Sequence, residues 1–195
     1  MRTADIKRTT KETDVALTLT LDGSGKASVA TGVGFFDHML DALCRFALMD
    51  LTLTVKGDIW VDAHHTVEDV GICLGQALRA ALGDRAGIRR VGSAYLPMDE
   101  ALAFAAMDIS GRPYLAWDAV FAGPMCGQMD TQLAEEFFRA VCVHAGLTLH
   151  MKLLAGRNDH HKMEALFKAF GLALRNAAAL DPRVTGVLST KGSLD

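Results

Sequence analysis

The sequence predicts an α+β fold in which a unit of one β-sheet and two helices occurs twice. A motif is repeated, because His64–Glu68 and His160–Glu164 both spell HHxxE and begin 96 positions apart. Each copy opens a segment with helical spacing of apolar residues and follows segments that alternate as strands do. Such repetition indicates a duplicated unit. We therefore divide one compact chain into a first repeat at residues 1–93 and a second at residues 94–195.

The likeness between the halves extends beyond the motif. Gly75–Arg79 lies 96 residues before Gly171–Arg175, with no gap between motif and match. At the same offset, Leu51–Leu53 aligns with Leu147–Leu149. A match in register on both sides of a motif favours duplication over coincidence.

In the first half, alternation of β-branched residues predicts strands and helical spacing predicts helices. The predicted elements are strands at 14–21 and 26–31, a helix at 35–48, a strand at 51–56, an edge strand at 59–63 and a helix at 66–82. Thr66 is expected to cap the last helix and Gly83 to end it. The element order of the half is therefore ββαββα.

The second half is predicted to follow the same plan after a glycine- and arginine-rich linker, Gly83–Gly92. Its elements are strands at 101–109 and 114–121, a helix at 131–145, a strand at 147–153 and a final helix at 162–180. We expect each half to be an antiparallel or mixed sheet with both helices on one face. The other sheet faces are then left to pack on each other or on other subunits.

Composition excludes several classes of protein. The chain has 195 residues, half of them hydrophobic, so we expect a substantial core and no disorder. Its net charge of -3 argues against nucleic acid as the main partner. The beginning of the chain has no signal-like apolar segment, and no apolar run approaches the length of a membrane span. Four cysteines without CxxC spacing are typical of reduced thiols, so a cytoplasmic location is expected.

The motif itself suggests a metal site. Neighbouring side chains on a helix point about 100° apart, so adjacent histidines rarely share one ion. Either histidine of the first copy can chelate with Glu68, and Glu164 stands in the same relation to the second copy. Two such sets, each with a spare histidine, predict two metal sites that each draw on both copies. Imidazole and carboxylate ligands without thiolate favour Mn or Fe. The alternative is a polar helix start with capping or exposed histidines.

The remaining histidines and cations carry weaker signals. His38 lies among apolar residues in Gly34–Leu40, where a histidine is more often a core group than a ligand. His144 and His150 are expected to be structural, at a helix end and on a strand. Basic residues beside glycine turns can bind phosphate or simply be surface charges. These residues are Arg89, Arg90, Arg112 and Lys191.

Taken together, several stretches resemble the imidazoleglycerol-phosphate dehydratase family of histidine biosynthesis. The matching segments run from about residue 2 to residue 194. They are Arg8–Thr13, Thr31–Leu40, Asp62–Gly71, Pro97–Leu102, Asp108–Pro113, Glu136–Phe138, Thr148–His150, Asn158–Phe170 and Ser189–Gly192. Motifs of this length are specific.

The resemblance implies a duplicated fold related to the ribosomal protein S5 domain 2-like unit. It implies a cytoplasmic homo-oligomer of 24 subunits with manganese ions between subunits, two per subunit. The implied reaction removes water from D-erythro-imidazole glycerol phosphate and gives imidazole acetol phosphate. The expected partner is therefore a small phosphorylated imidazole, with neither nucleic acid nor a membrane involved.

Site residues are carried over from the resemblance by position. The implied metal ligands are His38, His64, His65, Glu68, Glu136, His160, His161 and Glu164. The implied substrate-binding residues are Glu12, Arg90, Asp99, Arg112, Lys168, Ser189 and Lys191. Proton transfer is assigned to one of the carboxylates Glu12, Glu68 and Glu164. The chain departs from the family at Glu136 and Phe46, where many members have histidine.

Two other functions remain open at this stage. A di-metal carboxylate oxidase would need Glu-x-x-His motifs on paired helices of a bundle, whereas the order here is reversed and strands intervene. A metal-binding shell without catalysis would leave the phosphate-type basic residues unexplained.

Overall fold

The computed structural model describes residues 1–194 and confirms the α+β fold, with two four-stranded sheets and four helices. The first half contains, in order, β1 (Thr3–Thr9), β2 (Thr13–Thr20), β3 (Ala27–Ala30), α1 (Gly34–Ala47), β4 (Asp50–Gly57) and α2 (His64–Leu82). The second half contains β5 (Val91–Met98), β6 (Ala101–Asp108), β7 (Tyr114–Asp118), β8 (Met125–Cys126), β9 (Met129–Asp130), α3 (Leu133–Ala145), β10 (Thr148–Ala155) and α4 (Asp159–Ala178). No helix in this part of the chain is long and apolar enough to span a membrane.

The two large sheets have the same topology. Their strand orders are β1-β2-β4-β3 and β5-β6-β10-β7, and β8 and β9 form a separate hairpin. In each sheet three strands are antiparallel to their neighbours and the last pair is parallel. Both sheets are therefore mixed, as expected for a duplicated unit.

The helices form the middle of the molecule. Helix α2 packs on α3 and α1 packs on α4, so each half covers the helices of the other. Gly75 and Gly171 allow this approach because they have no side chain. A methyl group at Gly75 would lie 2.8 Å from the Val141 carbonyl oxygen, and one at Gly171 would lie 2.5 Å from the Leu43 carbonyl oxygen. The outer faces of the two sheets consequently point away from each other.

Aromatic side chains fill the space between the helices. The rings of Phe137 and Phe167 stack at 5.3 Å, and Phe138 lies 5.2 Å from Phe170. Phe36 joins the halves by an edge-to-face contact with Phe137 at 5.4 Å. All five side chains are fully buried, so truncation of any one is expected to cost about 3–5 kcal/mol.

Several predicted elements differ from the structure. Strands β1 and β5 were not anticipated, and β5 begins inside the predicted linker, so the expected division at residue 93 falls within a strand. Residues 59–63 form a turn rather than an edge strand. Thr66 does not cap α2, because the helix begins two residues earlier and the Thr66 hydroxyl is buried without a hydrogen-bond partner among the described residues.

The offset between the halves is not constant. Helices α1 and α3 end at Ala47 and Ala145, which are 98 residues apart, and β4 and β10 also begin and end 98 residues apart. The stretch from the end of β10 to His160 is two residues shorter than the stretch from the end of β4 to His64, and this restores an offset of 96 at the histidines. The match of Leu51 with Leu147 is therefore wrong by two positions, since Leu51 corresponds to Leu149.

Candidate metal centre

Three side chains from two helices converge at the second HHxxE motif. The Nε2 atoms of His38 and His160 lie 3.4 Å and 3.3 Å from Oε2 of Glu164. One ligand atom from each residue falls within 4.8 Å of the other two. His38 therefore faces ligand-type groups rather than the apolar core.

Local structure fixes the direction of these groups. The Asn158 side chain caps α4 by accepting hydrogen bonds from the backbone N–H groups of His160 and His161, at 2.9 Å and 3.4 Å. The ring of Phe35 meets the ring of His160 edge to face at 5.1 Å. His160 is thus directed by the helix cap and by an aromatic neighbour.

Glu164 is a buried carboxylate with a cationic partner. Its side chain is 8% exposed, and Lys168 Nζ lies 2.5 Å from Oε1 one turn further along α4. Burial opposes ionisation, but the hydrogen bond and charge of Lys168 and the proximity of His38 outweigh it and hold the pKa of Glu164 below its usual value. Lys168 also lies over the ring of Phe46, 5.4 Å from its centroid. The carboxylate is therefore ionised and available as a ligand.

The first HHxxE motif is more open. His64 Nε2 lies 4.0 Å from Glu68 Oε2, and Glu68 is 45% exposed. His64 lines a cavity of about 560 Å³ together with Asp62, Asp130 and Glu136. The first motif therefore has its own chelating pair, and Glu136 lines the same cavity as His64 of that pair.

Glu136 occupies the position in α3 that His38 occupies in α1. The two residues are 98 positions apart in the sequence, which is also the offset between the ends of α1 and α3. Since α3 packs on α2 as α1 packs on α4, Glu136 is placed toward the first motif as His38 is toward the second. Arg139 Nε lies 3.7 Å from Glu136 Oε2, and the Arg139 guanidinium is 2.5 Å from Glu135.

The spare histidine of the first motif is held by a carboxylate. His65 Nδ1 lies 3.0 Å from Asp58 Oδ2, while its Nε2 is 3.8 Å from Glu12. The hydrogen bond to Asp58 raises the pKa of His65, and the charge of Glu12 adds to this effect. The turn that carries Glu12 is fixed to α2, because Thr13 donates a hydrogen bond to the buried Asp69.

The spare histidine of the second motif has a similar environment. His161 Nδ1 lies 2.8 Å from Glu100 Oε2, and its Nε2 is 3.7 Å from Asp99. The hydrogen bond to Glu100 raises the pKa of His161. The same hydrogen bond, with backbone N–H groups of Asn158 and Arg157, lowers the pKa of Glu100 to about 2.

Sequence reasoning did not identify Asp58 or Glu100 as site residues. Glu100 is 61 residues from His161, so no local spacing links the two. Asp58 is the first residue after β4 and lies seven residues before His65. An acidic residue at a strand end close to the ligand motif could have identified it as a site residue.

A second cavity of about 750 Å³ gathers basic residues from the segment before β5, from the loop before β7 and from the residues after α4. Its polar lining includes Arg90, Arg112, Arg183, Ser189, Thr190 and Lys191. Arg90 is oriented by two hydrogen bonds to Asp108, at 2.7 Å and 2.9 Å, and by one to the Leu188 carbonyl at 2.8 Å. Lys168 does not line this cavity and instead contacts Glu164.

The other histidines are not among the ligand groups described above, although the charge of Glu68 acts on His144. His144 packs beside Gly75 near the end of α3, and burial lowers its pKa. His150 is on β10, where its ring lies 6.2 Å from that of Tyr114. Both positions agree with structural roles.

The donor sets suit a divalent transition metal. Both consist of imidazole nitrogens and carboxylate oxygens, and the four cysteines are buried elsewhere as free thiols. Among the described residues three ligand side chains converge only at His38, His160 and Glu164. His64 and Glu68 form a pair at 4.0 Å, and Glu136 shares a cavity with His64. Both sets offer fewer side chains than the six ligands of an octahedral ion. Further ligands would have to come from water, a substrate or another subunit.

Comparison with known proteins gives a consistent result. A family model described as imidazoleglycerol-phosphate dehydratase matches residues 31–174. The imidazoleglycerol-phosphate dehydratase of Symbiobacterium thermophilum is 61% identical over 193 residues, covering 99% of this chain and 93% of the relative. The enzyme of that name from Ruminiclostridium cellulolyticum is 57% identical, with 100% of both chains covered.

Solved structures agree with the sequence matches. Imidazoleglycerol-phosphate dehydratase from Staphylococcus aureus superimposes with a TM-score of 0.84 at 40% identity, covering 92% of this chain and 99% of the other. The same enzyme from Pyrococcus furiosus gives a TM-score of 0.83 at 38% identity, covering 97% and 100%.

Proposed function

The chain belongs to the imidazoleglycerol-phosphate dehydratase family, and on that premise we propose that its two HHxxE motifs hold two manganese ions per subunit. The protein is a hydro-lyase that catalyses the dehydration step of histidine biosynthesis, converting D-erythro-imidazole glycerol phosphate to imidazole acetol phosphate. The observation that carries the metal proposal is the convergence of His38, His160 and Glu164, whose ligand atoms lie within 4.8 Å of one another.

The second ion is assigned to His64, Glu68 and Glu136. Support comes from the equivalence of Glu136 with His38 and from the cavity that His64 and Glu136 share. In each motif one histidine pairs with the motif glutamate and the other is turned toward a different carboxylate. We therefore assign His65 and His161 as ligands that complete sites on neighbouring subunits.

Such sites require an oligomer, and we propose the 24-subunit assembly implied by the resemblance. Exposed apolar residues support an assembly, since Ile59, Trp60 and Val61 lie directly before the first motif and Trp60 is 83% exposed. The outer face of the second sheet also carries Val91 and Tyr95, both largely exposed. A reducing cytoplasm suits the four free thiols.

In this proposal the metal, when bound, supplies a Lewis acid that polarises an imidazole nitrogen and eases proton loss at the neighbouring carbon. The protein then has to accept that proton and deliver one to the departing hydroxyl. Glu164 is committed to Lys168, whereas Glu12 is half exposed and lies on a fixed turn beside His65. We therefore favour Glu12 as the group that exchanges protons with substrate, with Glu68 and Glu164 as ligands.

Substrate phosphate is assigned to the basic cavity. Arg112, Ser189 and Lys191 line it, and Arg90 is held in place there by Asp108. Guanidinium and ammonium groups form charge-assisted hydrogen bonds with phosphate oxygens. Asp99, 3.7 Å from His161, is assigned to a polar group of the substrate. Lys168 contacts Glu164, so we assign it to the part of the substrate that lies next to the metal rather than to the phosphate.

The direct test is a dehydration assay with imidazole glycerol phosphate after metal removal and after Mn²⁺ is restored. We expect activity to disappear and return, and elemental analysis to give two ions per chain. Light scattering should show that chelation loosens the assembly, because ions that bind only the assembled state stabilise it. Full metal occupancy without turnover would favour a metal-binding shell instead, and oxidase activity would favour the di-metal carboxylate alternative.

A further inference from the structure

We propose that Asp58 and Glu100 are positioning residues that orient the spare histidines, so that Nε2 of His65 and of His161 is presented to a metal ion. Neither carboxylate contacts the chelating pairs of the two motifs. The inference rests on the proposed metal centre, and it adds two residues that act through the ligands rather than as ligands.

In the first half, Asp58 is itself fixed by its surroundings. Its side chain is buried, its backbone N–H donates to the Glu12 carbonyl at 3.1 Å, and its own carbonyl accepts from Val61 at 2.8 Å. Both of its carboxylate oxygens lie near His65 Nδ1, at 3.0 Å and 3.2 Å. The hydrogen-bonding contacts to Asp58 therefore hold the imidazole ring through Nδ1, and Nε2 is directed away from Asp58, toward Glu12 at 3.8 Å.

In the second half, the two carboxylate oxygens of Glu100 accept hydrogen bonds from different groups. Oε1 accepts backbone hydrogen bonds from Arg157 and Asn158, at 3.0 Å and 2.8 Å, and Oε2 accepts from His161 Nδ1 at 2.8 Å. The turn between β5 and β6 is thereby tied to the loop before α4. The carboxylate cannot rotate freely, so the histidine it contacts has a defined orientation.

The same contact is made by residues at different places in the two halves. Asp58 is the first residue after β4, and the residue in the same position after β10 is Gly156, which has no side chain. The stretch from the strand end to the first histidine of the motif is also two residues shorter in the second half. The second half compensates with a carboxylate from the turn between two other strands. A contact made twice by unrelated positions is more than a by-product of duplication.

The contact has a defined chemical consequence. A carboxylate that accepts a hydrogen bond from Nδ1 requires the proton on that nitrogen, so the neutral ring carries its lone pair on Nε2. It also makes the imidazole a more basic ligand, and loss of such a partner usually lowers metal affinity by about 10- to 100-fold. Both histidines would thus be prepared to bind an ion supplied by another subunit.

The test is Mn²⁺ binding to the assembled protein, followed by the electron paramagnetic resonance signal of free Mn²⁺. We expect Asp58→Asn and Glu100→Gln each to weaken one of two ions at least tenfold while the other ion binds normally. The double variant should weaken both, and Asp58→Glu, which keeps a carboxylate, should recover part of the loss. Asp118→Asn is the matched control, because it removes an exposed carboxylate that is paired with Lys152 at 3.0 Å.

Thermal unfolding of the metal-free proteins separates positioning from a structural role. We expect the midpoints of Asp58→Asn and Glu100→Gln to stay within a few degrees of the wild type. Unchanged Mn²⁺ affinity in both variants, or equal loss of both ions with a lowered midpoint, would overturn the inference while the proposed function stands. A wild-type protein that binds no Mn²⁺ would overturn the proposed function and this inference with it.

Discussion

The two HHxxE motifs have the same residues at the same helical positions, yet the structure gives them different environments. At the second motif, Glu164 is buried, paired with Lys168 and within reach of His38 and His160. At the first motif, Glu68 is about half exposed and 4.0 Å from His64. The motif therefore supplies the donor atoms, whereas the neighbouring residues determine how closely the ligand groups approach one another before metal binds.

Particular residues account for the difference. Position 168 is a lysine one turn after Glu164, while the equivalent position after Glu68 is Ile72, which cannot pair with a carboxylate. The helix packed beside the second motif, α1, contributes the imidazole of His38, whereas the helix packed beside the first motif, α3, contributes the carboxylate of Glu136. The helix starts share one contact, because Asp62 accepts from the His64 N–H at 2.7 Å as Asn158 does from His160, although only α4 has a side-chain N-cap. The contrast thus lies in the third ligand and in Lys168.

The largest expected effect is at Glu164. Glu164→Ala should abolish measurable turnover, remove the ion at His38 and His160, and leave Lys168 without its partner. Breaking a buried ion pair from one side costs about 3 kcal/mol or more, so urea unfolding of the metal-free protein should show a clear loss of stability. Glu68→Ala, at a half-exposed position without a cationic partner one turn later, should change the metal-free stability by no more than about 0.5 kcal/mol.

A double variant checks this explanation. Glu164→Gln combined with Lys168→Met removes both charges and should regain most of the stability lost by Glu164→Ala, but not the metal. Equal destabilisation by Glu164→Ala and Glu68→Ala would show that the two motifs do not differ as described.

The next largest effect is expected in the phosphate cavity, which is lined by Arg90 before β5, Arg112 before β7 and residues that follow α4. Arg112→Ala should raise KM for the phosphorylated substrate by about 10- to 100-fold, since a hydrogen bond to a charged group is worth about 1.5–3 kcal/mol. The dephosphorylated analogue should be affected little. Steady-state kinetics with both substrates measure this, and equal losses would assign Arg112 a structural role.

A smaller effect is expected at the first motif. Glu136→Ala should lower the affinity for one ion by roughly tenfold or more, comparable with the loss of an outer-shell partner. Glu135→Ala is the matched control, because adjacent helical side chains point about 100° apart. Glu136→His should restore binding and shift preference toward zinc or nickel. Full Mn²⁺ occupancy and activity in Glu136→Ala would refute the ligand assignment.

The smallest effect concerns pH. The pKa values of His65 and His161 are raised by Asp58 and Glu100, so protons compete for these rings at higher pH than for an ordinary histidine. Metal affinity should therefore fall as pH decreases, with the loss beginning above the usual histidine range near pH 6.5. Asp58→Asn should move the onset for one ion to lower pH. Calorimetric titration with Mn²⁺ at several pH values measures this, and an onset at or below pH 6.5 in the wild type would contradict it.

Much of the fold could be predicted from the sequence because the helices have strong periodicity. Helix α1 was expected at 35–48 and spans Gly34–Ala47, and the motif repeat indicated duplication. Strand β1 was missed because its exposed positions are polar and its inward positions are only partly buried, so its alternation is weak. Strand β5 was missed because it begins directly after an arginine pair that resembled a linker.

The candidate site was predictable only in part. The chelating pairs follow from helical spacing, since His160 and Glu164 are one turn apart. The place of His38 beside them depends on the packing of α1 on α4, which no local pattern contains. Glu100 lies outside local reasoning for the same reason, because strand pairing brings it to His161 across 61 residues.

The central claim is that the two motifs bind two ions and that the site of the second motif is the better formed. Titration of the metal-free protein with Mn²⁺, on the wild type and on His38→Ala, tests it most directly. We predict two ions per chain in two phases, with the tighter phase lost in His38→Ala and the weaker one retained. A single ion per chain, or two unchanged phases in His38→Ala, would contradict the claim.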